Sequence, residues 1–134
     1  PWFLLAPPAG FGVIESIGRR TRKPRRKCVR AIRRGDRVYL VSIPGAEAAW
    51  LKNLRAYPRV RLRLRGGWFT GRARELVEDA ELREAFDAYC GTVNSFDRRE
   101  YVMHRRGRPT RKRIRELHRT WFEVGTPVVV EIGP

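Results

Sequence analysis

Six cations stand between Arg19 and Arg26, in the run Gly18-Arg19-Arg20-Thr21-Arg22-Lys23-Pro24-Arg25-Arg26. Guanidinium groups are planar forks that match phosphate oxygens, so this crowding suits an anionic ligand. Gly45, in the run Ser42-Ile43-Pro44-Gly45-Ala46, permits a close approach of backbone to a ligand. Tryptophans and tyrosines supply walls for a planar ring. Together these residue types point to an organic cofactor that carries phosphate. Other chemistry finds little support. His104 and His118 stand in Arg-rich helical stretches and read as solvated surface histidines, with no serine or cysteine set beside a base. The carboxylates are scattered over helices and form no evident acid and base pair. The spacings HExxH, CxxC and GxxxxGK[ST] are absent, so no metal ligand set and no catalytic side chain is assigned.

The chain of 134 residues, 42% hydrophobic, is the size of one domain, taken as 1–134. Thirty Lys and Arg against 14 Asp and Glu give a net charge of +16, which calls for an anionic partner: a phosphorylated cofactor, nucleic acid or a membrane surface. Cys28 and Cys90 lie far apart without a neighbouring His or Cys, which fits a reducing cytoplasm better than a disulfide framework. Within the N-terminal segment 1–10, Trp2 to Ala6 is apolar but far short of the roughly 20 residues that span a bilayer. We expect it to plug the domain before Pro7-Pro8 breaks it. The other reading is the remnant of an amphipathic helix that touches a membrane peripherally.

The elements that would position these residues follow from local pattern. Phe11 to Ser16 reads as a strand, Lys27 to Ile32 and Arg37 to Ile43 as a hairpin around Arg34-Gly35-Asp36, and Glu47 to Ala56 as a helix stopped by Pro58. Arg59 to Arg65 alternates strictly, with Val60, Leu62 and Leu64 on one face and arginine on the other. Gly66-Gly67 turns it into a returning strand, Trp68 to Leu76. Asp79 is the expected cap of a helix carrying Leu82, Ala85, Phe86 and Tyr89 at i, i+3, i+4 and i+7 and ending at Gly91. Ser95 to Arg106 continues helically, and Thr110 caps a last helix with Ile114, Leu117 and Trp121 inward. Thr126 to Ile132 closes the chain as a strand buried on both faces. The expected architecture is α+β: a small split β-barrel of about six mainly antiparallel strands, one helix between strands, and helices near the C-terminus. The ladder Arg59, Arg61, Arg63, Arg65 and the ten cations from Arg98 to Arg119 support a different class, a basic nucleic-acid-binding module without catalysis.

Two motifs carry a family resemblance. Gly18-Arg19-Arg20-Thr21-Arg22-Lys23-Pro24-Arg25 matches G-R-[KR]-[ST]-G-x-P-R at every fixed position except Arg22. Trp50, Asn53, Leu54, Ala56, Pro58 and Val60 match W-x-x-N-L-x-A-x-P-x-V throughout. From Val13 to Val77, and again over Thr126 to Glu131, the chain resembles the deazaflavin-dependent nitroreductases, small split-barrel proteins that use coenzyme F-420. The resemblance implies an oxidoreductase that passes hydride from the reduced deazaflavin to a small-molecule acceptor, an activated alkene, a quinone or a nitro compound, with no obligate catalytic side chain. FMN is the alternative cofactor, and a homodimer is one possible state of the protein. Carried over by position, Arg20 and Arg25 hold the phosphate with Arg19 and Lys23 as flanking charge, while Ser42, Gly45 and Ala46 meet the ring. Trp50 and Asn53 either join that site or pack in the core. The chain departs from the pattern at Arg22, Cys28, Arg30 and Pro44. Tyr89, Tyr101 and Trp121 are candidates for the far wall of the ring site.

Overall fold

A computed structural model describes residues 2–133. Seven strands, β1 (Phe11–Ile17), β2 (Pro24–Arg30), β3 (Ile32–Arg34), β4 (Arg37–Ser42), β5 (Arg59–Leu64), β6 (Gly67–Glu75) and β7 (Thr126–Ile132), form one antiparallel sheet. Their order is β2-β1-β5-β6-β7-β4-β3. The two edges, β2 and β3, are joined through the single residue Ala31, so the chain itself draws the ends of the curled sheet together into the expected split barrel. The helices are α1 (Trp2–Leu5), α2 (Ala49–Ala56), α3 (Asp79–Gly91), α4 (Ser95–His104) and α5 (Arg111–Val124).

The seventh strand arises because the expected strand Lys27 to Ile32 is two. β2 begins at Pro24, which pairs with Ile17 and needs no N–H as the first residue of an edge strand. It runs to Arg30, and only beyond Ala31 does the chain switch partners, β3 pairing with β4 around the Arg34-Gly35-Asp36 turn. Gly66 at φ +95° and Gly67 at φ +140° make the β5–β6 turn as the glycine pair requires. Thr110 Oγ1 accepts from Arg113 N–H at 3.2 Å and so caps α5, whereas the residue preceding α3 is Glu78 and Asp79 is the first helical residue.

Period-two patterning divides the apolar residues between two cores. Val128 and Val130 face the barrel interior with Ile14, Leu40, Val60, Leu62, Leu64 and, from α2, Leu51 and Leu54. Val129, between them, faces the helical layer with Tyr39, Tyr89, Ile114, Leu117 and Trp121. The three valines are at most 1% exposed, and burying each contributes about 1.5–3 kcal/mol.

The arginine ladder is in part committed to internal contacts. Arg61 Nη1 meets Glu15 Oε1 at 3.0 Å with its guanidinium 4.4 Å from the Trp68 ring centre. Arg63 donates to the carbonyls of Leu4 and Leu5 at 2.6 and 2.8 Å and thereby holds the end of α1. Leu5 is 80% exposed, so it does not plug the barrel; Pro1 and the side chains of Trp2 and Phe3 lie outside the described residues. Among the described residues no helix is long and apolar enough to cross a membrane.

Candidate functional site

The β1–β2 hairpin turns through Gly18 to Lys23. Gly18 N–H donates to Lys23 O and Arg22 N–H to Gly18 O, each at 2.8 Å, so the backbone closes its own loop. A Cβ on Gly18 would stand 2.8 Å from Thr21 Oγ1 and 3.4 Å from Arg25 Nε, which makes the loop interior a cradle that glycine alone leaves open. Arg22 takes φ +61°, where a side chain costs about 1–2 kcal/mol and where the related motif has glycine. Arg22→Gly is therefore expected to raise stability by about 0.5–1 kcal/mol after glycine's entropy is subtracted. Urea unfolding checks this; a lowered midpoint would mean that the left-handed turn carries no strain.

Asn53 ties this loop to α2. Its Oδ1 accepts from the Arg19 backbone N–H at 3.0 Å and from Arg19 Nη1 at 3.2 Å, with Asn53 itself buried. The i, i+3 spacing sets Asn53 beside Trp50 on one helix face, so one element both aims the loop and walls the space next to it. Between them lies a cleft of about 480 Å³, with Arg19, Arg20, Arg25, Arg26 and Lys27 on the basic side and Pro44, Ala48, Ala49, Trp50 and Asn53 opposite. The side chains of Arg20 and Lys27 have no hydrogen-bond or ion-pair partner among the described residues, and that of Arg25 donates only to the Thr21 hydroxyl, at 3.3 Å. Arg26 is held by buried Glu15 at 2.8 Å. Burial pushes the Glu15 carboxyl up, but hydrogen bonds from Arg26 and Arg61 outweigh it and leave the carboxyl below its usual range.

The cleft thus brings together Arg19, Arg20, Arg25, Trp50 and Asn53 from the expected set. Lys23 is exposed and off the lining. Ser42 is wholly buried and donates its hydroxyl to Gly45 O at 2.8 Å, while the Ala46 carbonyl accepts from Arg55 at 3.1 Å. Gly45 stands at φ +83° with open space where a Cβ would go. These three shape the turn, and the wall itself is made by Pro44, Ala48 and Ala49. The lining by Arg26 and Lys27 was not expected; its signal was the basic run continuing past Pro24 into an edge strand.

A second pocket of about 290 Å³ shares Lys27, Pro44 and Trp50 with the first and continues past them to Val41, Ile43, Tyr89, Glu100, His104 and Trp121. Two of the expected wall aromatics are therefore present, while Tyr101 is buried in the helical core. Behind this pocket the structure corrects two expectations. His118 is 1% exposed, not solvated, and the carboxylates do form a cluster: Asp97, Glu100 and His118 bring one ligand atom each within 4.8 Å of one another. The burial of His118 was legible, since Ile114, Leu117, His118 and Trp121 make one stripe of α5, and so was the shared face of Asp97 and Glu100, i, i+3 on α4, but not the meeting of the two helices.

Arg30 organises the cluster. Its guanidinium lies 3.4 Å from Asp97 Oδ1, donates to the carbonyls of Tyr89 and Thr92 at 2.6 and 2.7 Å, and covers the Tyr89 ring at 4.3 Å. Asp97 Oδ2 also accepts from Asn94 N–H at 2.7 Å, fixing the first turn of α4. A buried guanidinium at this point already supplies the positive charge, so we assign no metal ion. Burial pushes the Asp97 carboxyl up against the pull of Arg30. Burial, then Asp97, pushes Glu100 up to about 7, and burial, then Arg30, pushes His118 down to about 3.

These two shifts oppose one another in pH. Folded His118 stays neutral where the unfolded chain takes up a proton, so its stability contribution is lost as pH falls below 6.5 towards about 3. Folded Glu100 holds a proton that the unfolded chain has released, so its contribution is lost as pH rises from 4.5 through about 7. Between those ordinary values, 4.5 and 6.5, the two offset. In Glu100→Gln stability should then rise with pH across that window by about 1.4 kcal/mol per unit more than in the parent. Parallel urea titrations of the two proteins measure it, and identical slopes would sink the assignment of the proton to Glu100.

No curated protein matches the chain. Among solved structures, one described as an F420-H2 dependent reductase superposes with a TM-score of 0.61 at 13% identity, covering 92% of this chain and 95% of that one. A FAD-binding protein from Mesorhizobium loti gives 0.54 at 17% identity, covering 99% and 86%. A structure described as a domain-swapped dimer gives 0.61 at 15% identity, covering 92% and 81%. At such identities these likenesses establish the fold alone. Residues 7–106, which carry the basic hairpin, the whole of α2 and the buried Arg30–Asp97 pair, match a family model, and on that ground the chain belongs to the F420H(2)-dependent quinone reductase family.

Proposed function

We propose that the protein binds reduced coenzyme F-420 in the basic cleft, with its ring at Trp50, and catalyses hydride transfer to a quinone-class acceptor held in the adjoining aromatic pocket. The observation that carries this reading is the junction at Lys27, Pro44 and Trp50, where a basic cleft holding Arg20, its side chain unpartnered among the described residues, adjoins an aromatic pocket. Residues and group fit one another: the Gly18 cradle and the Arg20 and Arg25 forks suit a phosphate and an acidic tail, and Trp50 with Pro44 suits a planar ring. When bound, the reduced deazaflavin supplies the hydride. The chain's own work is to hold the tail through Arg20 and Arg25, keep the loop aimed through Arg19 and Asn53, orient the ring at Trp50, and exclude water with Tyr89 and Trp121.

Titration with F-420 and with FMN, read by coenzyme absorbance and tryptophan fluorescence, tests the reading. Saturable F-420 binding that persists at physiological salt, followed by reduction of menadione, is the expected result; preference for FMN would reassign the cofactor. The commitment of Arg61 and Arg63 to internal contacts argues against a nucleic-acid module. The neighbour described as a domain-swapped dimer supports a homodimer, which light scattering would detect. The two free cysteines, one exposed, support a reducing cytoplasm.

A further inference from the structure

The hydride-transfer reading leaves one requirement unassigned. A quinone-class acceptor that takes up a hydride gains two electrons and one proton, and it becomes a neutral hydroquinone only on gaining a second proton. Stabilising that oxygen as an anion in an aromatic pocket would be costly. A proton donor at the pocket wall removes the cost.

The pocket contains such a group. Glu100 lines it, and Glu100 Oε1 is buried without a hydrogen-bond partner among the described residues. The groups facing it come from four elements: Asp97 and His104 on α4, Lys27, Cys28 and Arg30 on β2, Tyr89 on α3 and His118 on α5. Arg30 is the buried cation among them, and it is already engaged with Asp97. Glu100 is therefore the second carboxyl around one guanidinium, and two carboxylates so close do not both ionise. The Tyr89 hydroxyl lies far up, held there chiefly by burial, so it does not compete as a donor at neutral pH, and His104 is exposed, with its ring edge-on to Trp121.

We propose that the pocket bounded by Trp50, Tyr89 and Trp121 holds the planar acceptor and that the Glu100 carboxyl gives that acceptor its second proton. The proposal rests on the hydride-transfer reading above. In the step, hydride bonds to the acceptor, the Glu100 O–H breaks, and its proton bonds to the acceptor oxygen. The Glu100 carboxylate left behind takes a proton from solvent, and the oxidised coenzyme returns one to solvent, so two electrons and two protons pass in all. A neutral Glu100 also spares the pocket a carboxylate that would repel the negative charge building on the acceptor oxygen as hydride arrives.

Two measurements test this. In the apoprotein, the carboxyl infrared band should report a protonated carboxyl that titrates near neutral pH and is lost in Glu100→Gln; a titration confined below pH 5 overturns the proposal. In the coenzyme-loaded protein, Glu100→Gln should bind F-420 within twofold of the parent yet lower kcat for menadione at least tenfold, and the fall of the parent's kcat as pH rises through neutrality should vanish. Unchanged kcat and pH profile overturn the proposal, as does a variant that loses coenzyme affinity while keeping kcat. The hydride-transfer reading fails separately, through a parent that binds no F-420 or leaves menadione unreduced. The infrared titration on the unsubstituted chain keeps the test decisive should Glu100→Gln fold poorly.

Discussion

Arg30→Ala is expected to cost about 3–5 kcal/mol, a large share of the total stability of a domain this size. The guanidinium is 2% exposed at the side chain, and its removal strands Asp97, whose side chain is wholly buried, together with the carbonyls of Tyr89 and Thr92. Each stranded acceptor keeps its desolvation cost and loses its partner. Arg30 also joins β2 to α3 and α4, so the loss falls on the contact between sheet and helical layer rather than on one side chain. Lysine should not rescue it, because a single ammonium cannot reproduce the fork that reaches two carbonyls and a carboxylate. Urea unfolding of Arg30→Ala and Arg30→Lys gives the answer: a loss below about 1 kcal/mol would show that the cluster relaxes around the gap. The same residue is one of the chain's departures from the related pattern. The arginine at 30 is matched by Asp97 at a sequence distance of 67 residues, and the two form one feature of this chain.

Arg20→Ala and Arg25→Ala should each weaken F-420 binding by about 1.5–3 kcal/mol, through loss of charge-assisted contacts to phosphate. Stability should stay within about 0.5 kcal/mol of the parent, because Arg20 has no partner among the described residues and Arg25 shares only the Thr21 hydroxyl. Lys23→Ala is the informative contrast. It removes the same formal charge from the same loop, but Lys23 is exposed and outside the cleft lining, so the loss should be small and should disappear as salt rises. Isothermal titration at two salt concentrations separates the cases. Equal losses in all three variants would mean that the loop acts as diffuse charge and that the cleft is not where the phosphate sits.

Much of this protein was determined by its sequence alone, wherever the cause is local. Strict alternation from Arg59 to Leu64 with two glycines behind it can be little other than a hairpin strand, and Val128, Val129 and Val130 in succession demand burial on both faces. Thr110 caps α5 because its hydroxyl needs to reach only three residues along the chain. The two motifs, Gly18 to Arg25 and Trp50 to Val60, marked the family because each is a continuous run. What tertiary structure decided is convergence. Nothing within a few residues of Arg30, Glu100 or His118 announces that β2, α4 and α5 bring them together, nor that Glu15 would engage Arg26 and Arg61 and Arg63 the end of α1. Nor could composition tell Arg20, left open to a ligand, from Arg19, drawn to Asn53. The charge of a side chain is a property of its residue type, but whether that charge is free is settled by what the fold places within hydrogen-bonding distance of it.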